Sequence, residues 1–164
     1  MSEGTPGGPD SRPDNPSPTR GDPDSAAAAQ PAGSADTHQL YTRGLDLLGR
    51  GSPAAAAQLL QRAAAAEPRS RSIREALARA QFDAGQYAAA ARNFRMIVEA
   101  SPSDDYAQFG LGLALARTGD PGAAAEHLAL AAAMRPNLRH YTDALRNVRA
   151  TLRARSELRR GQAD

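Results

Sequence analysis

The chain lacks several residue types, and each absence excludes a class of site. Its 164 residues include no cysteine, no tryptophan and no lysine, and only four tyrosines and three phenylalanines. Without cysteine, the chain cannot form disulfides, thiolate metal sites or a cysteine nucleophile. Its mean hydropathy is −0.55 and it has no long apolar run, so we expect no membrane-spanning helix and no membrane partner.

Apolar residues are also scarce at the N-terminus. Residues 1–36 contain seven of the twelve prolines, six acidic residues and two arginines, but no aromatic residue. Such a segment buries too little apolar area to offset its ordering entropy, so we predict a disordered tail over residues 1–36. It also lacks the apolar stretch of a secretory signal, and we therefore expect a cytoplasmic protein.

The charge of the chain is small in total but uneven along the sequence. The net charge is +2, and residues 37–164 combine twelve acidic residues with eighteen arginines. Excess positive charge is typical of nucleic-acid binding. Because every basic residue is arginine and alanine is abundant, the simpler interpretation is a compositional bias of a GC-rich genome.

Against this background, three prolines recur at a fixed interval of 34 residues: Pro68, Pro102 and Pro136. A period of this length indicates a repeat protein whose units stack on their neighbours. Three further sets keep the same interval: Gly51, Gly85 and Gly119; Ala56, Ala90 and Ala124; Leu60, Phe94 and Leu128.

Each unit is predicted to contain two helices and a turn. In the first unit, Leu40, Gly44 and Leu47 follow helical spacing up to Gly51. Ser52–Pro53 then predicts the start of a second helix that ends near Glu67.

In the third unit, Gly119 is predicted to end the first helix and Asp120–Pro121 to start the second. The middle unit has a predicted capping box, Ser72 with Glu75.

After Pro136 the pattern changes to one long predicted helix over residues 139–160. Tyr141, Leu145, Val148 and Leu152 form an apolar stripe, while arginines recur every seven residues on another face. A stacked array needs a terminal element that is apolar inside and polar outside, and this helix meets that requirement.

The 34-residue unit resembles the tetratricopeptide repeat, which combines small and bulky apolar residues at set positions with a proline near its end. The resemblance covers three copies, residues 37–70, 71–104 and 105–138, and residues 139–164 stand as a capping helix with a short tail. It implies an all-α solenoid of three helix-turn-helix units with a C-terminal solvating helix. The middle copy departs from the family pattern, with Arg74 and Gln81 at positions that usually hold bulky apolar residues.

The small residues of the pattern are expected to let helices approach closely, and the prolines to end each unit. The structural repeat positions are Gly44, Ala56, Pro68, Ala78, Ala90, Pro102, Gly112, Ala124 and Pro136. Leu60, Phe94 and Leu128 are expected to fill the space between units.

No set of residues has the spacing that catalysis needs, so we predict a non-enzymatic protein without cofactor or metal. The three histidines, His38, His127 and His140, have no metal-ligand spacing. Gly110–Leu111–Gly112 is predicted to serve helix packing, and Asp104–Asp105 to cap a helix.

Function is therefore expected on a surface. In the family that the chain resembles, the first helix of each unit lines a concave groove that binds a peptide of another protein. The corresponding positions here are His38, Tyr41, Leu45, Glu75, Arg79, Phe82, Tyr106, Phe109, Leu113, Arg117 and Asn147. The family's lysine-based clamp for acidic peptide ends is not expected, because lysine is absent and the groove is more apolar.

Two alternatives stay open beside this peptide-binding scaffold. The arginine-rich last helix predicts a nucleic-acid or acidic-partner surface, although no aromatic residues interleave with its arginines as single-strand binders require. Self-association into a homodimer through an apolar edge, such as that of the first unit, is the other.

Overall fold

A computed structural model describes residues 32–162, and within that range the chain is entirely helical, with no strand. The helices, numbered in chain order, are α1 (Ala32–Gly49), α2 (Pro53–Ala66), α3 (Arg71–Asp83), α4 (Tyr87–Ala100), α5 (Asp105–Arg117), α6 (Pro121–Met134) and α7 (Arg139–Gly161). Each helix packs mainly on the helices before and after it in the chain. This arrangement confirms the prediction of an all-α stack of helix pairs.

Glycines with a positive φ end the first helix of each pair. Gly51, Gly85 and Gly119 have φ angles of 74°, 78° and 94°, a left-handed region that glycine enters without a Cβ penalty. The residue after each glycine donates its N–H to the carbonyl five positions back, as in Ser52 to Leu47 at 2.8 Å. These closures reverse the chain, so the two helices of each pair run antiparallel.

Helix starts show where the sequence-based assignments were right and where one was wrong. The Asp104 and Asp120 carboxylates accept the N–H groups of Ala107 and Ala123, as predicted for helix caps. The capping box predicted at Ser72 and Glu75 is wrong. The cap of α3 is Ser70, because the helix begins at Arg71 and Ser72 already lies in its first turn.

The boundary between tail and fold also differs from the prediction. Residues 32–36, predicted as part of the disordered tail, form the first turns of α1. Next to this extension, Thr37 is buried and its hydroxyl donates to the Gly33 carbonyl at 2.7 Å. The rest of the predicted disordered tail, residues 1–31, lies outside the described residues.

Close approach of helices depends on residues without a side chain. A Cβ on Gly44 would lie 2.6 Å from Leu60 Cγ, and one on Gly112 would lie 2.6 Å from Leu128 Cγ. A Cβ on Gly110 would lie 2.5 Å from the Phe94 ring, so this glycine admits the neighbouring pair. Leu60 and Leu128 are fully buried in these contacts.

The middle unit keeps its register although it departs from the apolar pattern. Arg74 donates to Asn93 Oδ1 at 3.1 Å, and Asn93 in turn donates to Gln81 Oε1 at 2.8 Å. In the third unit the equivalent positions hold Gln108 and His127, whose Oε1 and Nδ1 atoms are 2.7 Å apart. Polar side chains therefore replace apolar packing inside these two pairs, and each finds a partner there.

The last helix caps the stack as its apolar stripe predicts. Tyr141 and Val148 are buried, and Leu145 and Leu152 pack partly buried against the same core. The arginines of α7 are exposed, and one of them, Arg155, donates to the Gly119 carbonyl at 3.4 Å.

Substitution of Gly112 tests the close packing of α5 on α6. Gly112→Leu should lower the free energy of unfolding by about 1–3 kcal/mol or more, because the new side chain overlaps Leu128 and the Ala124 carbonyl. Urea unfolding followed by circular dichroism measures the change. Gly49→Leu is the matched control, since a Cβ there meets nothing within 4 Å. Equal unfolding midpoints for the two variants would contradict the packing described.

His127 makes the stability of the third pair dependent on pH. Burial is the largest effect on His127 and lowers its pKa from the ordinary value of 6.5; the Glu126 charge opposes this in part, and the Arg95 charge lowers the pKa again by a smaller amount. The unfolded chain therefore takes up the proton first as pH falls below 6.5, and stability decreases through that window. His127→Gln should remove this component of the pH dependence, whereas His38→Gln, at an exposed position, should not. Urea midpoints between pH 7.5 and 5 measure the difference.

Candidate functional site

The first helices of the pairs, α1, α3 and α5, share a face that contains a cleft of about 360 Å³. We call it the first groove cleft. Its walls combine aromatic, aliphatic and charged side chains, namely Tyr41, Leu45, Leu48, Arg71, Ser72, Glu75, Ala76, Arg79 and Tyr106. The cleft therefore spans all three units, because Tyr41, Glu75 and Tyr106 come from the first helices of the three successive pairs.

A second, smaller cleft of about 160 Å³ adjoins the first on the same face. We call it the second groove cleft. It is lined mainly by rings and aliphatic groups, namely Arg79, Phe82, Asp83, Phe94, Tyr106, Phe109, Gly110 and Leu113. Arg79 and Tyr106 belong to both clefts, so the two form one continuous surface that is mixed in charge at one end and apolar at the other.

Electrostatics in the first groove cleft centre on Arg71. Its guanidinium forms an ion pair with the buried Asp104 and lies 3.6 Å from the Glu75 carboxylate. Burial raises the pKa of Glu75, the Arg71 charge lowers it in part, and the Asp104 charge raises it again. Arg79 lies 3.8 Å from Asp83. Both arginines of the cleft thus have carboxylate neighbours, and no single sign of charge dominates it.

Ring contacts hold the aromatic side chains of the groove in place. Phe109 stacks on Tyr141 at 4.3 Å between centroids, and His140 meets Phe109 edge-on at 5.3 Å. The Tyr141 hydroxyl donates to Asp105 Oδ2 at 3.0 Å. Burial and this hydrogen bond raise the pKa of Tyr141, so the phenol stays protonated and keeps the link between α5 and α7.

All but three of the predicted groove residues line one of the two clefts. Tyr106 is 36% exposed, and Tyr41 and Phe109 are partly buried, so their rings remain accessible. The exceptions are His38, Arg117 and Asn147.

His38 and Asn147 are exposed away from both clefts. Arg117 is engaged by Tyr87, whose hydroxyl accepts a hydrogen bond from it at 3.0 Å and whose ring lies 5.3 Å below its guanidinium.

The groove residues that were not identified from the sequence include Arg71, Phe94 and Gly110. Arg71 lies in the first turn of α3, Phe94 comes from the second helix of its pair, and Gly110 has no side chain. Gly110 and Phe94 reach the groove together. The Phe94 ring occupies the space that a Cβ on Gly110 would fill, so a glycine at this position is the sequence feature that points to the ring.

Two further surfaces were considered from the sequence, the arginine-rich outer face of α7 and the edge of the first unit, and both are polar. On α7, Arg146 pairs with Asp143 at 2.7 Å, and the other arginines of its outer face are exposed. On α1, the positions equivalent to the buried Leu77 and Ala80 hold Arg43 and Asp46, both exposed. The outer edge of the first unit is therefore charged rather than apolar.

Over the described range, no group of three or more acidic or histidine side chains is arranged to hold a metal ion. In the same range, no helix combines the length and apolarity that crossing a membrane requires.

Comparison with known proteins identifies the repeat. The family model described as tetratricopeptide repeat matches residues 41–105 and again residues 75–139, which together exceed half of the chain. No curated protein matches the chain in sequence.

Solved structures with the same fold include the following three. The chain is similar to the first tetratricopeptide-repeat domain of Spaghetti (RPAP3) bound to the HSP90 peptide SRMEEVD, with a TM-score of 0.67, 20% identity, and coverage of 73% of this chain and 94% of that one. It is similar to the Sgt2 domain from Aspergillus fumigatus, with a TM-score of 0.67, 20% identity, and coverage of 74% and 82%. The Yersinia enterocolitica secretion chaperone SycD, in complex with a peptide of the translocator YopD, gives a TM-score of 0.62, 16% identity, and coverage of 70% and 92%. At these identities the likeness shows the fold.

Titration of Glu75 tests the charge arrangement in the first groove cleft. Arg71→Gln should raise the pKa of Glu75 further, because it removes the nearby charge that stabilises the carboxylate and leaves the effect of burial. Arg79→Gln is the control, since Arg79 pairs with Asp83 instead. NMR of the Glu75 side-chain carboxyl carbon measures the shift. A Glu75 pKa that moves equally in both variants would contradict the pairing.

Proposed function

The chain belongs to the tetratricopeptide-repeat family, and we propose that it is a non-catalytic scaffold that binds a peptide segment of another protein along its groove. The observation that carries this proposal is the continuity of the two groove clefts, which share Arg79 and Tyr106. Proteins with the same fold support it, since structures of two of them contain a peptide of a partner protein.

The lining of the clefts favours a peptide with distinct ends. The second groove cleft, with Phe82, Phe109 and Leu113, suits an apolar or aromatic anchor side chain, because such anchors contribute most where water is excluded. The first groove cleft offers Tyr41 and Tyr106 for stacking and hydrogen bonding beside the Arg71–Glu75 pair. A segment with an apolar anchor followed by polar residues of both charges therefore fits best.

A purely acidic peptide end fits less well. The chain has no lysine, and Arg71 already pairs with Asp104 while Arg79 lies beside Asp83. An added carboxylate would compete with these carboxylates, and Glu75 would repel it. We therefore propose a partner segment different in chemistry from the acidic HSP90 peptide bound by the RPAP3 domain.

Tyr106 is the residue of choice for a test because it lines both clefts. Tyr106→Ala should weaken partner binding by roughly tenfold or more, as loss of a buried aromatic anchor does. The measurement uses the full chain with a photo-reactive residue at Leu45, crosslinked in extract of its native cell. The crosslinked partner is then identified by mass spectrometry, and its affinity is measured by calorimetry with a peptide of the crosslinked segment.

Met96→Ala provides the matched control, since Met96 is 48% exposed and lies outside both groove clefts. Binding that is equal for Tyr106→Ala and Met96→Ala removes the groove from the mechanism. Nucleic acid crosslinked by a second chain that carries the photo-reactive residue at Arg149, with no crosslink from Leu45, would favour the arginine-rich helix as the binding surface instead.

A further inference from the structure

A separate cleft of about 300 Å³ lies outside the groove, where the turn between α2 and α3 meets the end of α4. We call it the edge cleft. One wall is apolar and consists of Met96, Ile97 and Ala100. The opposite side carries three arginines in a short stretch of chain: Arg69, Arg71 and Arg74. The edge cleft thus joins an apolar surface to concentrated positive charge.

The charge of Arg74 is not balanced by any carboxylate of the described residues. Its guanidinium donates to Asn93 Oδ1 at 3.1 Å and to the Pro68 carbonyl, and it lies 3.2 Å from the Met96 sulfur. All three acceptors are neutral, and the side chain is half-buried. A cation held in this way keeps a field that water screens only in part.

The two neighbouring arginines add to this field. Over residues 32–162, Arg69 forms no ion pair, whereas Arg71 pairs with Asp104 on the side of the groove. Glu67 and Glu99 stand near the cleft in sequence, yet neither carboxylate pairs with an arginine within that range. An anionic group with an adjoining small apolar surface would complement the edge cleft.

The chain itself supplies such a group at a suitable place. Because consecutive helices are antiparallel, the start of α1 lies at the same edge of the stack as the end of α2 and the start of α3, and α1 contacts α3 directly. The described chain begins at Ala32, so the point where residues 1–31 are joined to the fold lies at the edge that contains the cleft.

The part of this segment nearest the fold has the required chemistry. Residues 21–31 read Gly-Asp-Pro-Asp-Ser followed by four alanines, Gln and Pro, with two aspartates and no basic residue. The eight steps from Asp24 to Ala32 span at most roughly 29 Å when extended. Neighbouring helix axes lie about 8–10 Å apart, so the aspartates can reach the arginines of the adjacent pair.

We propose that the Asp22–Pro23–Asp24 segment of the same chain docks in the edge cleft, with its aspartates against Arg69 and Arg74 and its proline and alanines against Met96 and Ala100. This proposal does not rest on the peptide-binding function of the groove. The edge cleft is favoured over the arginines of α7 because those side chains are exposed on a single helix at the far end of the stack, where solvent screens them.

Tethering makes even a weak contact populated, because a covalent connection of a few residues raises the effective concentration to roughly the millimolar range. The absence of cysteine allows a single nitroxide label at Ser25→Cys in the full chain. Amide signals of Met96, Ala100 and Ser101 should then lose at least about half of their intensity relative to the reduced label. In 1 M salt the loss should shrink, since the screening length falls to about 3 Å.

Two variants with the same label separate docking from mere proximity of the tether. Asp22→Asn/Asp24→Asn should restore the signals at the edge cleft by about twofold without touching the folded residues. Arg69→Gln/Arg74→Leu should do the same, and leucine is tolerated at the equivalent position of the first unit, Leu40. Arg153→Gln/Arg160→Gln on α7 is the control and should leave the broadening unchanged.

Several results would overturn the proposal. Broadening that is the same with and without the aspartates shows proximity alone. Broadening centred on α7 or on Tyr106 places the segment elsewhere. Broadening that appears only when an unlabelled ¹⁵N chain is mixed with a labelled ¹⁴N chain assigns the contact to a second copy.

Discussion

The absence of a side chain at a few helix positions is the constraint on which the whole stack depends. At Gly44 and Gly112 the missing Cβ leaves room for a buried leucine of the paired helix, and alanines take that place in the middle unit. Because two helices can then lie close together, short helices of thirteen or fourteen residues bury enough area to be stable without any contact to distant elements. Each pair needs only its neighbours, and α7 closes the exposed end.

The same constraint determines where large side chains can go. When small residues fill the seam inside a pair, the bulky and aromatic residues of α3 and α5 are left for the contacts between pairs and for the groove. Gly110 belongs to both functions, because it admits the Phe94 ring between two pairs and so brings that ring to the floor of the second groove cleft. The groove and the core therefore depend on the same packing, and a larger residue between two helices would displace side chains of both.

The fold was predictable from the 34-residue interval and from the glycines and prolines that end helices, whereas the contacts between side chains were not. The intervals between prolines and between glycines locate the six helices of the three pairs, because a left-handed glycine and a proline without an N–H are local requirements of the chain. The apolar stripe after Pro136 locates α7. The start of α1 was missed because residues 32–36 have little apolar content and follow the polar N-terminal segment in the sequence. The hydrogen-bonded pairs Arg74–Asn93 and Gln108–His127 were also missed. The partner of a polar side chain between two helices can be identified only when the relative position of both helices is known. Most groove positions followed from the family resemblance, while Arg71 and Phe94 depend on how neighbouring units pack.

Arg71 links the two sides of the α3 start. It lines the first groove cleft and the edge cleft, and the carboxylate that holds it, Asp104, also caps α5 through the Ala107 N–H. Because Asp104 is buried and accepts the Ala107 N–H, the carboxylate that pairs with Arg71 is held at a fixed place beside both clefts. The position of one helix cap thus determines how the charge of two separate surfaces is shared.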